Sequence, residues 1–180
     1  MFEGLRRNVG LQYTRFHFRK SSDPVIRFTE AVSRARRALI VLPESTGDIS
    51  SVQWVMRNLA ERFASGSMTV VARKDQASWV KKEGHRFQIL AYNEEDITTW
   101  FVPGRELLGK MKRSTFDVAF DLNPGFALTS AFLCRESKAP LRVSFAKVHA
   151  DEFYNFQVNT KSTNSLAVAY RNLIRCLEMF

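Results

Sequence analysis

Between residues 38 and 145 the chain alternates five short strand-like runs, the first of them continuously apolar, with stretches of helical periodicity. The runs are Ala38-Leu39-Ile40-Val41-Leu42, Met68-Thr69-Val70-Val71-Ala72, Phe87-Gln88-Ile89-Leu90, Phe116-Asp117-Val118-Ala119-Phe120-Asp121 and Leu141-Arg142-Val143-Ser144. A strand that is apolar at nearly every position must be covered on both faces, as in a parallel sheet between helix layers. Val52, Val55, Met56, Leu59 and Phe63 form one stripe of a helix over 49–64. Asp75 is expected to cap a short helix over 76–82, one or two helices occupy 95–113 with a break near Pro103-Gly104, and an apolar helix runs from Phe126 to Arg135. Phe156-Gln157-Val158 offers a sixth strand, and Leu166, Tyr170, Leu173 and Leu177 face one side of a last helix, 165–178. The fold class is therefore α/β: a Rossmann-like three-layer α/β/α arrangement with a mostly parallel sheet, in a single domain. Right-handed crossovers place the first and fourth strands side by side, where the winding reverses.

Residues 1–37 precede this alternation as a basic N-terminal arm and an amphipathic helix; the Rossmann-like region is 38–180. The first 37 residues hold nine Lys/Arg against three acids, so most of the net charge of +9 lies there. Tyr13-Thr14-Arg15-Phe16-His17-Phe18-Arg19-Lys20 interleaves aromatics with cations. That pattern suits single-stranded nucleic acid or another anionic surface. It also suits an edge strand or extended arm whose Phe16 and Phe18 pack on the core while the cations stay wet, the preferred reading because no nucleic-acid motif accompanies the pattern. Asp23-Pro24 reads as a cap and a first-turn proline, with Val25, Phe28, Val32 and Ala35 along one face of a helix over 24–36.

Several function classes drop out. With 45% hydrophobic and 25% charged residues in 180, the composition is globular rather than disordered. No apolar run approaches the ~18 residues of a membrane span. The first twenty residues lack the apolar segment of a secretory signal, while their Arg-rich, acid-poor character leaves an organellar leader as an alternative. Cys134 and Cys176 form no CxxC pair and read as buried thiols of a reducing compartment, hence cytoplasmic, with the inner face of the membrane as an alternative setting. There is no GxGxxG, Walker A or GxSxG motif. His17, His85 and His149 have no metal-ligand spacing, so neither cofactor nor metal is expected. Glu94-Glu95-Asp96 reads as an acidic helix start rather than a site for a hard cation.

Two loops are expected to meet at the carboxyl ends of the first and fourth strands, where open α/β sheets bind ligands. In Pro43-Glu44-Ser45-Thr46-Gly47-Asp48, Ser45 and Thr46 supply hydroxyls, Gly47 permits a tight turn with positive φ, and Asp48 opens a helix whose free N–H groups suit an anion. In Leu122-Asn123-Pro124-Gly125, Asn123 can donate and accept, and Gly125 permits close approach of a ligand. The structural alternatives are an N-cap for Asp48 and a plain turn for Asn-Pro-Gly.

Taken in order, these segments resemble glycosyltransferase family 9, the ADP-heptose:lipopolysaccharide heptosyltransferase family. The likeness runs through Leu39-Ile40-Val41-Leu42, Ser45-Thr46-Gly47-Asp48, Met68-Thr69-Val70-Val71-Ala72, Phe116 to Asn123, Ser130-Ala131-Phe132-Leu133 and Ala139 to Phe145. It covers about residues 38–150, with Ser144 standing where the family has glycine. The resemblance implies the N-terminal, acceptor-side half of a two-domain transferase in lipopolysaccharide biosynthesis. It places the family's general base, which deprotonates the acceptor hydroxyl, on Asp48. It also implies that the nucleotide-sugar-binding half lies outside these residues, so the stretch is a truncated, stand-alone acceptor-side domain, non-catalytic alone. The expected ligand is an anionic glycan or sugar phosphate, and the expected protein partners are a second copy or a separate donor-domain subunit. Two alternatives stand beside it: a heptosyltransferase-like enzyme assembled in trans with a donor domain, and, more distantly, a nucleic-acid-binding module using the basic arm.

Overall fold

The computed structural model describes residues 2–45, 47–82, 87–160 and 165–179. Two helices, α1 (Phe2–Phe18) and α2 (Phe28–Arg34), precede the sheet. There follow β1 (Arg37–Val41), α3 (Ile49–Arg62), β2 (Ser67–Arg73), α4 (Lys74–Lys82) and β3 (Phe87–Tyr92). The second half contains α5 (Arg105–Met111), β4 (Val118–Asp121), α6 (Leu128–Glu136), β5 (Leu141–Phe145), β6 (Phe156–Val158) and α7 (Leu166–Glu178). The strands form one sheet in the order β3-β2-β1-β4-β5-β6, every pair parallel. β1 pairs with both β2 and β4, so the winding reverses between β1 and β4 as expected.

Alternating side chains of the central strands feed two separate cores. Ala38 and Ile40 join Val70, Val118, Phe120 and Val143 under α3 and α7. Leu39 and Val41 join Val71 and Ala119 on the opposite face, under α5, α6 and Leu11 of α1. Ala38 to Val41 are all essentially buried, which is why no polar position interrupts β1 after Arg37.

The N-terminal region departs from the sequence reading. Residues 13–20 are not an extended arm or edge strand: α1 is helical to Phe18. Phe18 packs on Phe132, ring centroids 5.0 Å apart, while Phe16 is 61% exposed, so the two fall on opposite sides of the helix. The expected helix over 24–36 shrinks to α2, with Pro24 and Val25 outside it. Asp23 is no cap: its carboxylate pairs with Arg135 at 2.9 Å and with the buried Arg142 at 2.6 Å. Asp75 likewise lies in the first turn of α4, which starts one residue earlier, and pairs with Arg73. The 95–113 region resolves into a single 3₁₀ turn at Glu94–Asp96, an isolated antiparallel bridge between Ile97 and Pro103, and α5. The acidic triplet serves that turn, with Asn93 and Asp96 forming a reciprocal capping box. β4 begins at Val118 because Asp117 turns its carboxylate to the backbone N–H groups of Arg36 and Arg37, both at 2.9 Å.

Candidate functional site

The loop after β1 is held from two sides. Buried Gln76 donates from Nε2 to the carbonyl of Pro43 at 2.8 Å, while its Oε1 accepts from the N–H of Arg73. On the other side the N–H of Glu44 donates to Asn123 Oδ1 at 2.9 Å. The loops after β1 and β4 therefore meet, and the clasp is Asn123 itself. Its Nδ2 donates to Asp121 Oδ1 at 2.7 Å and to Ser130 Oγ at 2.9 Å. With both ends of its amide engaged, Asn123 positions the two loops rather than presenting a free group.

Beneath the clasp lies a buried ionic cluster that the sequence reading did not single out. The Asp121 side chain is 0% exposed and that of Lys147 4%. Asp121 Oδ2 accepts from Lys147 Nζ at 2.7 Å and from the Tyr154 hydroxyl at 2.5 Å. Asp121 Oδ1 accepts from the N–H of Asn123 at 3.0 Å in addition to its Nδ2. Lys147 gives a second bond to the carbonyl of Asn123 at 2.8 Å. Burial, reinforced by the carboxylate of Asp121, drives the Tyr154 phenol well above its ordinary pKa, so it is a fixed donor. A buried charge needs a partner and satisfied hydrogen bonds, and this cluster supplies both. The available signal was the Asp121/Asn123 pair at the end of an otherwise apolar strand, with a lysine directly behind β5.

Asp48 sits at the N-terminus of α3 and caps it. Its Oδ1 accepts from the N–H of Ser51 at 3.0 Å, and the Ser51 hydroxyl donates to Oδ2. These bonds hold the carboxyl below its ordinary pKa. A carboxylate already on the helix start disfavours an incoming anion there, against the sequence-based expectation of an anion at α3. Ser45 is exposed, and Thr46 lies outside the described residues. Gly47 does not adopt the left-handed conformation expected of it, and a Cβ there would meet nothing; the same open space surrounds Gly125.

Above the clasp, the strand ends open into two adjoining recesses. One, of about 180 Å³, is lined by Arg7, Leu11, Glu44, Phe101, Phe126 and His149 among others. The other, of about 690 Å³, lies over β2 and β3 and draws on Arg6, Glu44, Arg73, Tyr92, Asn93 and Thr98. Phe101 and Glu44 are common to both. Loss of water, and then the charge of Asp121, lift the carboxyl of Glu44 above the ordinary range, against the pull of Arg7, Arg73 and Lys147. Tyr92 beside it is pushed up to about 12, first by burial and then by Glu44. Phe101 and His149 have left-handed backbones, φ 61° and 60°, an uncommon state for residues other than glycine. Phe101 is held there by Thr129, whose hydroxyl donates to its carbonyl at 3.0 Å, and by the Arg7 guanidinium 4.8 Å above its ring. Non-glycine residues fixed in this region tend to gather at ligand sites. Among the described residues no group of three or more His, Cys, Asp or Glu comes together to hold a metal, and no helix is long and apolar enough to cross a membrane.

No protein-family model matches the chain, and no curated protein matches it in sequence. Its fold does match solved structures. Escherichia coli heptosyltransferase WaaC with ADP superposes with a TM-score of 0.58 at 13% identity, over 78% of this chain and 46% of that one. The same enzyme with ADP-2-deoxy-2-fluoro heptose gives 0.57 at 15% identity, over 80% and 49%. The family 9 glycosyl transferase from Veillonella parvula gives 0.57 at 15% identity, over 81% and 42%. The chain thus has a glycosyltransferase-like Rossmann fold and spans just under half the length of these structures.

Proposed function

We propose that residues 38–180 form the acceptor-side half of a sugar-transfer cleft and bind an anionic glycan or sugar phosphate in the crevice above Asn123. The observation that carries this reading is the 690 Å³ recess at the strand ends, beside the β1/β4 reversal, on a fold shared with part of heptosyltransferase WaaC. Arg6, Lys74 and Arg73, the last paired with Asp75, match a phosphate or carboxylate, while Glu44, Asn93, Glu94, Thr98 and Thr99 match sugar hydroxyls. Tyr92 offers an aromatic wall for the apolar face of a sugar ring.

Transfer would require an activated sugar held opposite, from a donor-binding domain beyond these residues, and the isolated domain binds without turning over. A base for the acceptor hydroxyl must keep a proton affinity near working pH. Asp48, the residue singled out by the family resemblance, is weakened as a base by its two bonds to Ser51, although it stays anionic to receive a hydroxyl. Glu44, whose carboxyl is raised by desolvation and by the charge of Asp121, stands at the meeting of the two recesses and is the second candidate for that proton.

Backbone amide NMR of the full chain titrated with a hexose phosphate, a nucleotide sugar and lipopolysaccharide core fragments tests the proposal. Sugar phosphate or core fragment is expected to move Glu44, Arg73, Thr98 and Thr99, and Arg73→Ala to weaken binding about tenfold, the worth of one charge-assisted contact. Shifts confined to other surfaces, or affinity untouched by Arg73→Ala and Glu44→Gln together, would refute it.

A further inference from the structure

Helix α1 carries two apolar stripes on opposite sides. The inner one docks: Leu11 and Thr14 are buried, and Phe18 packs on Phe132. Gly10 lies so close to the 98–101 loop that a Cβ there would stand 1.9 Å from the carbonyl of Trp100. Polar ties fix the helix further. Arg6 donates to the carbonyl of Thr99 at 2.7 Å, Arg15 grips Glu152 through two bonds of 2.6 and 2.7 Å, and His17 meets Glu136 at 3.0 Å.

The outer stripe is Phe2, Leu5, Val9, Tyr13 and Phe16, each between 41% and 80% exposed. At about 100° per residue these five fall within roughly 80° of arc, diametrically opposite the docked side. A rigidly anchored helix about 25 Å long therefore presents a continuous apolar ridge to solvent. The helix is basic: residues 2–20 hold Arg6, Arg7, Arg15, Arg19 and Lys20 against a single acid, Glu3, which is paired with Arg7 at 3.0 Å. Arg7 and Arg15 turn toward the docked side, over Phe101 and onto Glu152, while Arg6 and Arg19 border the ridge on its two sides. Arg19 lies 3.8 Å over the ring of Phe16, placing positive charge at the edge of the ridge. Trp100, 46% exposed, belongs to the loop against which the helix packs.

We propose that the outer face of α1 is a docking surface for an anionic lipid bilayer, with the helix lying in the plane of the interface and the ridge sunk at the headgroup boundary. The charge pattern selects this occupant. A second copy packed about a two-fold axis would bring the same cations face to face across the apolar contact. Nucleic acid would be met by aromatics and cations, but it offers nothing to Leu5 and Val9 in the middle of the ridge. A bilayer rich in acidic lipid matches both halves, apolar interior under the ridge and phosphate around its cations.

Flotation of the full chain with vesicles of roughly one-third phosphatidylglycerol in phosphatidylcholine tests this. The chain is expected to float with these vesicles, to bind pure phosphatidylcholine far less, and to be released in part by salt. The triple substitution Leu5→Ser, Val9→Ser, Phe16→Ser is expected to lower partitioning about a hundredfold, from the loss of three apolar side chains from the interface. Its unfolding temperature and sugar-phosphate binding should remain those of the parent, because the three side chains face away from the core. No flotation with anionic vesicles, or equal flotation of the triple variant, overturns the proposal. So does a dimer in sedimentation that the triple variant alone dissolves without any vesicle binding.

Discussion

Replacing Lys147 with methionine removes one charge from the buried cluster under the candidate site while nearly preserving side-chain length. The two side chains involved are 4% and 0% exposed, so water cannot replace the lost ammonium. Asp121 would keep the Tyr154 hydroxyl and the two donors of Asn123, but lose its counter-charge, and the carbonyl of Asn123 would lose a donor. Stranding one member of a buried pair costs about 3–5 kcal/mol; the three surviving donors argue for roughly 3. For a domain of this size that lowers the melting temperature by roughly 6–12 °C. Urea unfolding followed by tryptophan fluorescence measures the loss, and Asp121→Asn alone and combined with Lys147→Met completes a double-mutant cycle. The pair should be coupled by more than about 1.5 kcal/mol, the double variant recovering stability relative to the summed single losses. A Lys147→Met loss below about 1 kcal/mol, or strict additivity, would mean that the pair does not anchor the crevice as argued.

Gly10→Ala is expected to loosen α1, since the new Cβ meets backbone at 1.9 Å, at a cost of about 1–3 kcal/mol in thermal unfolding. Gly4→Ala on the same helix meets nothing and should stabilise by about 0.5–1 kcal/mol, so the two alanines should have opposite signs. Glu136 is desolvated, yet the bonds from Lys112 at 2.6 Å and His17 at 3.0 Å hold its carboxyl below the ordinary range. Its contribution is therefore present above the unfolded carboxylate pKa and lost as pH falls through the lower folded value. Melting temperature measured in steps below pH 5 should drop less steeply in Glu136→Gln. Glu44 has the opposite sign: with a raised folded pKa it adds stability on acidification, and Glu44→Gln should be no less stable than the parent at neutral pH. A melting temperature for Glu44→Gln well below the parent would show that the ionised carboxylate is structurally required.

The doubly covered sheet is visible in the sequence because burial on both faces leaves no polar position in Leu39-Ile40-Val41-Leu42. Strand order follows from the handedness of the crossovers. The N-terminal helix is hidden for the opposite reason. With Leu11, Thr14 and Phe18 inside and Phe2, Leu5, Val9, Tyr13 and Phe16 outside, apolar residues lie on both sides and no single stripe stands out. Over residues 13–20 the remaining pattern mimics the two-residue period of a strand. The over-long second helix has a tertiary cause. Asp23 has the look of a cap, but its carboxylate is claimed by Arg135 and Arg142, more than a hundred residues away.

The site divides in the same way. Its two loops are legible because helices start where parallel strands end, and their chemistry is not, because the partners that decide it come from elsewhere. Asn123 is taken up by Glu44, Asp121 and Ser130, and Asp121 by Lys147 and Tyr154, 26 and 33 residues further on. Once those groups are spent on one another, the side chains facing the crevice include Glu44, Arg73, Tyr92 and the 93–101 loop, with Arg6 and Arg7 reaching in from α1. The same helix that turns its apolar ridge outward thus delivers Arg6 and Arg7 to the mouths of the two recesses on its other side, so the basic N-terminal segment is divided between two faces.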